Sequence, residues 1–388
     1  MIEPKLRFKA DDGSEFPDWE EKTVGDMTVE LQDYEPLSSG YPLMTSSRTG
    51  LMMQNEFRSK SSTDDSTAIF SVVPRGMATY RHMSDDDIFH FNINNLVDKG
   101  LVSKEYPVFN TKDNYNLYLL VEYLNSSRNF LSFCKAQKKG GTRTRLYFKV
   151  LKDFKLNMPS FPEQQKIADF LSTIDTVIEK QKETVSAWEE RKKGVMQKLF
   201  SQEVRFKADD GSDFPDWEKK KLEDVVEFLD GQRKPLEAGQ RVSGKYPYYG
   251  ASGIIDYVEN YIFDEELILL SEDGANILDR NYRVCFLAKG KYWVNNHAHV
   301  LRAMDGNVNG FICEQLESFD YRKYNSGGAQ PKLNQATCRA IIMNIPCLEE
   351  QQKIADCLSS LDEVIEKQKA TLAAWEELKK GLLQQMFV

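Results

Sequence analysis

Two stretches of this chain place their inward residues at alternating steps of four and three. In the first they are Ile167, Leu171, Ile174, Ile178, Gln181, Val185, Trp188, Lys192, Val195 and Leu199. In the second they are Ile354, Leu358, Leu361, Ile365, Gln368, Leu372, Trp375, Lys379, Leu382 and Met386. That spacing predicts a long helix with a heptad seam in each place. Pro162 suits a first helical turn, and Glu163 suits the positive end of the helix dipole. Each helix is expected to run about 57 Å, from roughly 38 residues at about 1.5 Å each. Gln181 and Gln368 interrupt the seams and are expected to fix register. Lys192 and Lys379 are expected to carry their charge out to the edge along an apolar stem. An amphipathic helix needs a packing surface, and the simplest partner for one seam is the other. The link at 201–218 is too short to run back along a helix and also build structure of its own. Antiparallel pairing with pseudo-twofold symmetry is therefore expected. Gly194 and Gly381 sit near the helix ends, where a kink and a close backbone approach both fit.

Outside these stretches the pattern shortens to runs of β-formers broken by turn signals. In the later part of the chain, 261–270 (YIFDEELILL), 282–287 (YRVCFL) and 291–302 (KYWVNNHAHVLR) read as strands. Asp273-Gly274 and Asp305-Gly306 read as turns between them. The strand reading of 291–302 puts His297 and His299 on one face. No third metal ligand stands near them, so a core or hydrogen-bonding role is expected. Both such regions are read as α/β (α+β) domains.

The chain is also written twice. FKADDGSEFPDWE at 8–20 returns as FKADDGSDFPDWE at 206–218, and 26 of the 38 residues at 163–200 recur at 350–387. Between these repeats, 21–139 and 219–326 share little. The plan is a linker at 1–20, a head at 21–160 and a helix at 161–200. It then repeats, with a linker at 201–218, a head at 219–346 and a helix at 347–388. A duplicated scaffold that carries two different heads suits a protein that reads two different things. The repeated linkers also imply that the last helix ends near the first linker, with Phe387 near Phe8.

The formal net charge of −9 argues at first against a nucleic-acid partner. Its distribution weakens that argument. Residues 21–160 hold 18 Lys+Arg against 16 Asp+Glu, and 219–346 hold 16 against 17. The acidity sits in the linkers and the last helix, so charge alone does not exclude DNA. The six cysteines are scattered, with no CxxC pair, which suits reduced thiols in the cytoplasm. No apolar run approaches membrane-spanning length, so no membrane role is expected.

DNA contact needs cations for phosphates and amide or guanidinium groups for base edges. The first head ends in KAQKKGGTRTRLYFKVLK (135–152), with seven cations and no acid. Lys138, Lys139, Arg143 and Arg145 are its candidates, and Gly140-Gly141 would let backbone approach a phosphate. Arg48, Arg75 and Arg81 are further candidates in that head. The second head ends in YRKYNSGGAQPKLNQATCR (321–339), which contributes Gln330 and Lys332. Its earlier segment GQRKPLEAGQRVSGKYPYYGASG (231–253) contributes Arg233, Lys245, Tyr248, Tyr249 and Ser252. A solvated charged face and a packed aromatic loop are the plainer readings of these segments. The chain has no phosphate loop and no Asn-Pro-Pro-aromatic or Asp-Pro-Pro-aromatic motif. PDWEEK and PDWEKK superficially suggest nuclease carboxylates, but they crowd into one turn of a linker.

Together these features resemble the specificity subunits of type I restriction-modification systems, over nearly the whole chain. The EQQKIA–L-x-x-(I/L)-D segment after each head carries the resemblance, as do YPYYGASGIIDYVENYIFDEELILLSEDGA and YWVNNHAHVLR. The first head resembles a different subgroup through SGYPLMTSSRTG and KKGGTRTRLYF. The resemblance implies two target recognition domains, each reading half of a bipartite, asymmetric site in double-stranded DNA. It implies that the helices set the spacing between the half-sites. It also implies two modification subunits and restriction-translocation subunits as partners. S-adenosylmethionine, ATP and magnesium would then belong to those partners, and this chain would hold no cofactor and no catalytic site. Two other readings fit the bare pattern: a coiled-coil scaffold with two protein-binding heads, and an enzyme with an unrecognised site.

Overall fold

The computed structural model describes residues 4–54, 68–138 and 142–387. Lys139, Gly140 and Gly141 lie outside the described residues. The chain divides into two compact units, 1–181 with 371–388, and 182–370. Four helices organise them: α1 (Leu117–Ser126), α2 (Phe161–Phe200), α3 (Asn309–Glu317) and α4 (Leu348–Met386). The long helices α2 and α4 have 40 and 39 residues, so each runs about 60 Å at about 1.5 Å per residue. Each contributes one half to each unit.

In both units the two half-helices run antiparallel. In the first, Ile167 and Leu171 of α2 share a core with Leu382, Leu383, Met386 and Phe387 at the other end of α4. In the second, Val195 and Leu199 of α2 share a core with Ile354 and Leu358 of α4. Ile174, Ile178 and Ile365 are buried as well, while Leu361, Gln181, Gln368, Trp188 and Trp375 are half-buried. Lys192 does not reach the edge: its side chain is 8% exposed and pairs with two carboxylates.

The heads are mainly antiparallel sheets with helices to one side, an α+β arrangement, and in the second head Ser243–Gly250 and Lys291–Val294 pair in parallel. The first holds four strands in the order Thr28–Leu31, Val108–Thr111, Ala78–Tyr80, Phe91–Ile93. Three more follow the order Lys99–Ser103, Ile69–Pro74, Tyr34–Pro36. Helix α1 covers the four-stranded sheet, and Tyr80, Phe91, Phe109 and Phe130 pack beneath it. The second head holds Val226–Phe228, Ala298–Ala303, Leu267–Ser271 and Cys285–Ala288 in one sheet. A second sheet runs Gly253–Val258, Ser243–Gly250, Lys291–Val294, Phe263–Asp264. Leu267–Ser271 is buried at every position, because α3 packs through Phe311 and Ile312 against Ile268 and Leu270. A strand covered on both faces reads as a continuous apolar run instead of alternating.

The segment 291–302 is two strands, not one. Asn295 Oδ1 accepts from the His297 backbone N–H at 2.8 Å, a local turn that ends the first strand. His297 therefore lies in the turn, and His299 lies in the next strand, so the two do not share one strand's face.

Each head closes in the same way. The strand after the linker pairs antiparallel with the strand before the helix, Glu20 opposite Met158 and Glu218 opposite Ile345. The linkers themselves are hairpin turns. Asp12 and Asp210 each accept from the backbone and hydroxyl of the serine two residues on. Gly13 and Gly211 take φ of +85° and +87°, which a side chain would oppose.

Candidate nucleic-acid interface

In the first head, five of the candidate cations converge on the loop after Met83. Arg145 lies opposite Met83 in a short strand pair, and Arg81 precedes Met83 by two residues. Arg48 bonds to Asp86, and this guanidinium together with the Ser84 hydroxyl holds the Asp86 carboxyl down at about 2. Arg143 Nε donates to Asp85 Oδ1 at 2.7 Å, and Lys138 Nζ lies 3.7 Å from Asp87. The acidic triplet Asp85–Asp87 therefore holds three of the cations as ion pairs on an exposed edge. Arg81 and Arg145 have no ion pair among the described residues and stand exposed. Arg75 belongs to another loop, bonded to Asp98 and to the Asn95 carbonyl. Lys139 is outside the described residues.

In the second head the candidates divide between surface and interior. Tyr248 is a core residue, 1% exposed, whose phenol accepts from the Leu236 N–H at 2.9 Å. Tyr249 packs half-buried against Phe286 and Tyr292. Arg233 is tied inward, donating to Glu272 at 2.8 Å and to the Ala298 carbonyl at 2.7 Å. Lys245, Ser252 and Gln330 are exposed. Lys332 is half-exposed and lies 3.5 Å from Glu272.

Deeper in the second head lies a charged network around His299, whose expected core and hydrogen-bonding role the structure bears out, while its partner Asp230 was not singled out from the sequence. His299, 1% exposed, sits 2.7 Å from Asp230 Oδ2 through Nδ1 and 2.8 Å from the Leu333 carbonyl through Nε2. Both partners are acceptors, so both ring nitrogens donate and the ring is an imidazolium. Burial alone would lower its pKa. The hydrogen bonds to Asp230 and Cys338 override that and raise it to about 10. Asp230 also accepts from Gln335 Nε2 at 2.7 Å and from the Val300 N–H at 2.9 Å. The network fastens the 230–233 loop to the segment that carries Gln330 and Lys332. In that segment a Cβ on Gly327 would lie 2.0 Å from the Gln330 carbonyl. Loop closure alone therefore requires glycine there.

The repeated EQQK segment explains how each head is seated. Glu163 is fully buried and accepts from Arg7 Nε and Nη2 at 3.2 and 2.9 Å and from Trp19 Nε1 at 3.2 Å. Glu350 accepts in the same way from Arg205 at 3.0 and 2.7 Å and from Trp217 at 3.0 Å. The next residue, Gln164 or Gln351, accepts from the backbone N–H that caps α1 or α3, Asn116 or Val308. Each linker is thus a clamp that fixes its head to the start of its helix. PDWE supplies a tryptophan donor to that clamp.

Two dissimilar heads, each held by the same clamp to a long paired helix, define a duplicated two-headed protein. The chain belongs to the family described as the type I restriction modification DNA specificity domain, whose model matches residues 89–186 and 215–374. A Haemophilus influenzae type I restriction enzyme specificity subunit, S.HindORF215P, is 38% identical over 144 residues, 37% of each chain. The MjaVIII specificity subunit of Methanocaldococcus jannaschii is 28% identical over 290 residues, 65% of each chain. The matches therefore span less than two thirds of both relatives. A solved type I restriction-modification S subunit from M. genitalium shares the fold, with a TM-score of 0.58 at 16% identity, covering 100% of this chain and 99% of that one. Among the described residues, no helix is long and apolar enough to cross a membrane.

Proposed function

We propose that this chain selects the DNA sequence on which a type I restriction-modification assembly acts. Each head reads one half of a bipartite, asymmetric site in double-stranded DNA, and the paired helices set the spacing between the halves. Two modification subunits dock on the duplicated scaffold, and restriction-translocation subunits complete the assembly. S-adenosylmethionine, ATP and magnesium belong to those partners. This chain contributes no catalysis and works in the cytoplasm. The observation that supports this reading most is the family match across both heads, joined to a repeated clamp that holds two unlike surfaces. Exchange of residues 21–160 for another head tests it. One half of the methylated site is expected to change and the other to stay. A change in both halves would contradict independent reading.

A further inference from the structure

We infer that the turn between the strands Lys291–Val294 and Ala298–Ala303 is a base-reading tip of the second head, and that His297 meets a base edge there through Nε2. The inference rests on the DNA-reading role proposed above and names a residue that performs part of it. The His297 side chain is 50% exposed, and Asn296 beside it is exposed as well. Asp273, the partner of His297, forms a β-bridge with Lys332. The tip therefore stands on the edge that carries Lys332 and Gln330.

The turn is held from beneath more firmly than a surface loop needs. The His297 backbone N–H donates to Asn295 Oδ1 at 2.8 Å, and the His297 carbonyl accepts from the Glu272 N–H at 2.8 Å. Arg233 donates to the Ala298 carbonyl at 2.7 Å and to the Glu272 carboxylate at 2.8 Å. An exposed histidine–aspartate pair adds little to stability by itself. Burying Arg233 and the His299 imidazolium below it costs desolvation. Such mounting suits recognition, because a tip that is already fixed loses little freedom when it binds.

The ring is fixed as well. Nδ1 lies 2.9 and 3.0 Å from the two carboxylate oxygens of Asp273. A carboxylate only accepts, so Nδ1 carries a hydrogen and donates it. Nε2 has no hydrogen bond among the described residues and is the nitrogen left for a ligand. In the major groove it accepts from the amine of adenine or cytosine, or, carrying a proton, donates to guanine. A phosphate asks only for charge, which a mobile lysine supplies. A ring whose direction is set from beneath has what base-edge reading needs.

The test is methylation of a randomised DNA library by the assembled complex of this chain with its modification subunits. The half-site of the second head is the one that stays when residues 21–160 are exchanged. His297→Leu is expected to relax one position of that half-site about tenfold and to leave every other position unchanged. His297→Gln, whose amide reaches about as far as Nε2, is expected to retain part of the preference. If His297→Leu assembles and its motif equals that of the wild type, the turn does not read a base, and the DNA-reading role stands. Weaker methylation of an unchanged motif overturns it too, because that marks a phosphate contact. Relaxation spread over the whole half-site marks a structural role and overturns it as well. If the wild-type complex selects no motif, both readings fail together. Should His297→Leu not assemble, His297→Arg, which still offers Asp273 a donor, serves instead. A change confined to one position of that half-site supports the turn, and an unchanged motif overturns it.

Discussion

The Lys379 ammonium lies 2.9 Å from Glu122 Oε2, and the same contact recurs at 3.0 Å between Lys192 and Glu314. Each lysine also meets an aspartate of the opposite long helix, Asp175 or Asp362, both at 2.7 Å. Glu122 and Glu314 are the sixth residues of α1 and α3. Each trio therefore joins both long helices to the helix of one head. Removing Lys379 leaves the largely buried Glu122 without its cation, which costs about 3–5 kcal/mol, whereas Glu314 keeps Arg283 at 2.6 Å when Lys192 is removed. Lys379→Met is expected to destabilise its unit by that amount in urea unfolding, and Lys192→Met its own unit by less. A loss below about 1 kcal/mol, the worth of an exposed pair, would show that the trios are only surface contacts.

The linker clamp makes a second prediction. Glu350 is fully buried, and Arg205 is its only charged partner among the described residues. Arg205→Ala is expected to lower stability by about 3 kcal/mol. Arg205→Lys restores only part, because a point charge cannot make the paired bonds of a guanidinium. Full restoration by lysine would argue for simple charge neutralisation.

His299 predicts a pH dependence. Its folded-state pKa is raised from 6.5 to about 10, so the folded form binds the proton more tightly than the unfolded form. The stabilisation is fully present below pH 6.5 and is lost as pH rises towards 10. The steepest loss is about 1.4 kcal/mol per pH unit. Chemical unfolding of the second unit at several pH values checks this. His299→Gln should flatten the profile between these limits, and a wild-type profile already flat there would exclude a buried imidazolium.

Charge reversal separates the cations of the first head. Arg145 has no ion pair among the described residues, while Arg143 is bonded to Asp85. Arg145→Glu is expected to weaken DNA binding by the assembled complex and to reduce its salt slope by about 1. Arg143→Glu places like charges together and should also disturb the loop after Met83. Equal binding by wild type and Arg145→Glu across a salt series would take that edge off the DNA path.

Much of the scaffold was legible because it depends on local periodicity and on repetition. The seam around Ile167 and Ile354 marked the helices, and the matched linkers implied that the termini meet. The structure brings them together: the Leu6 N–H donates to the Gln385 carbonyl at 3.3 Å, just as Val204 donates to Lys198 at 3.2 Å within the continuous chain. Lys192 was misread as an edge residue because its partners come from α4 and from the second head, more than a hundred residues away. Sequence spacing along α2 carries no sign of them. Glu122 and Glu314 escaped notice for a related reason. The heads differ in loop length, so the two residues fall out of register with both repeats. Tyr248 looked like a contact residue because aromatic and basic residues surround it, but its alternation along the strand turns it inward. The acidic triplet Asp85–Asp87 was visible, yet its pairing with Arg48 and Arg143 depends on tertiary folding.

The most direct test of the central claim maps methylated adenines across the genome of a host that carries the modification subunit, with and without this chain. A bipartite motif that appears only with this chain is the predicted result, and it gives both half-sites and the spacing at once. No new motif, with the two proteins soluble and associated, would contradict a DNA-reading role and favour a scaffold with two protein-binding heads.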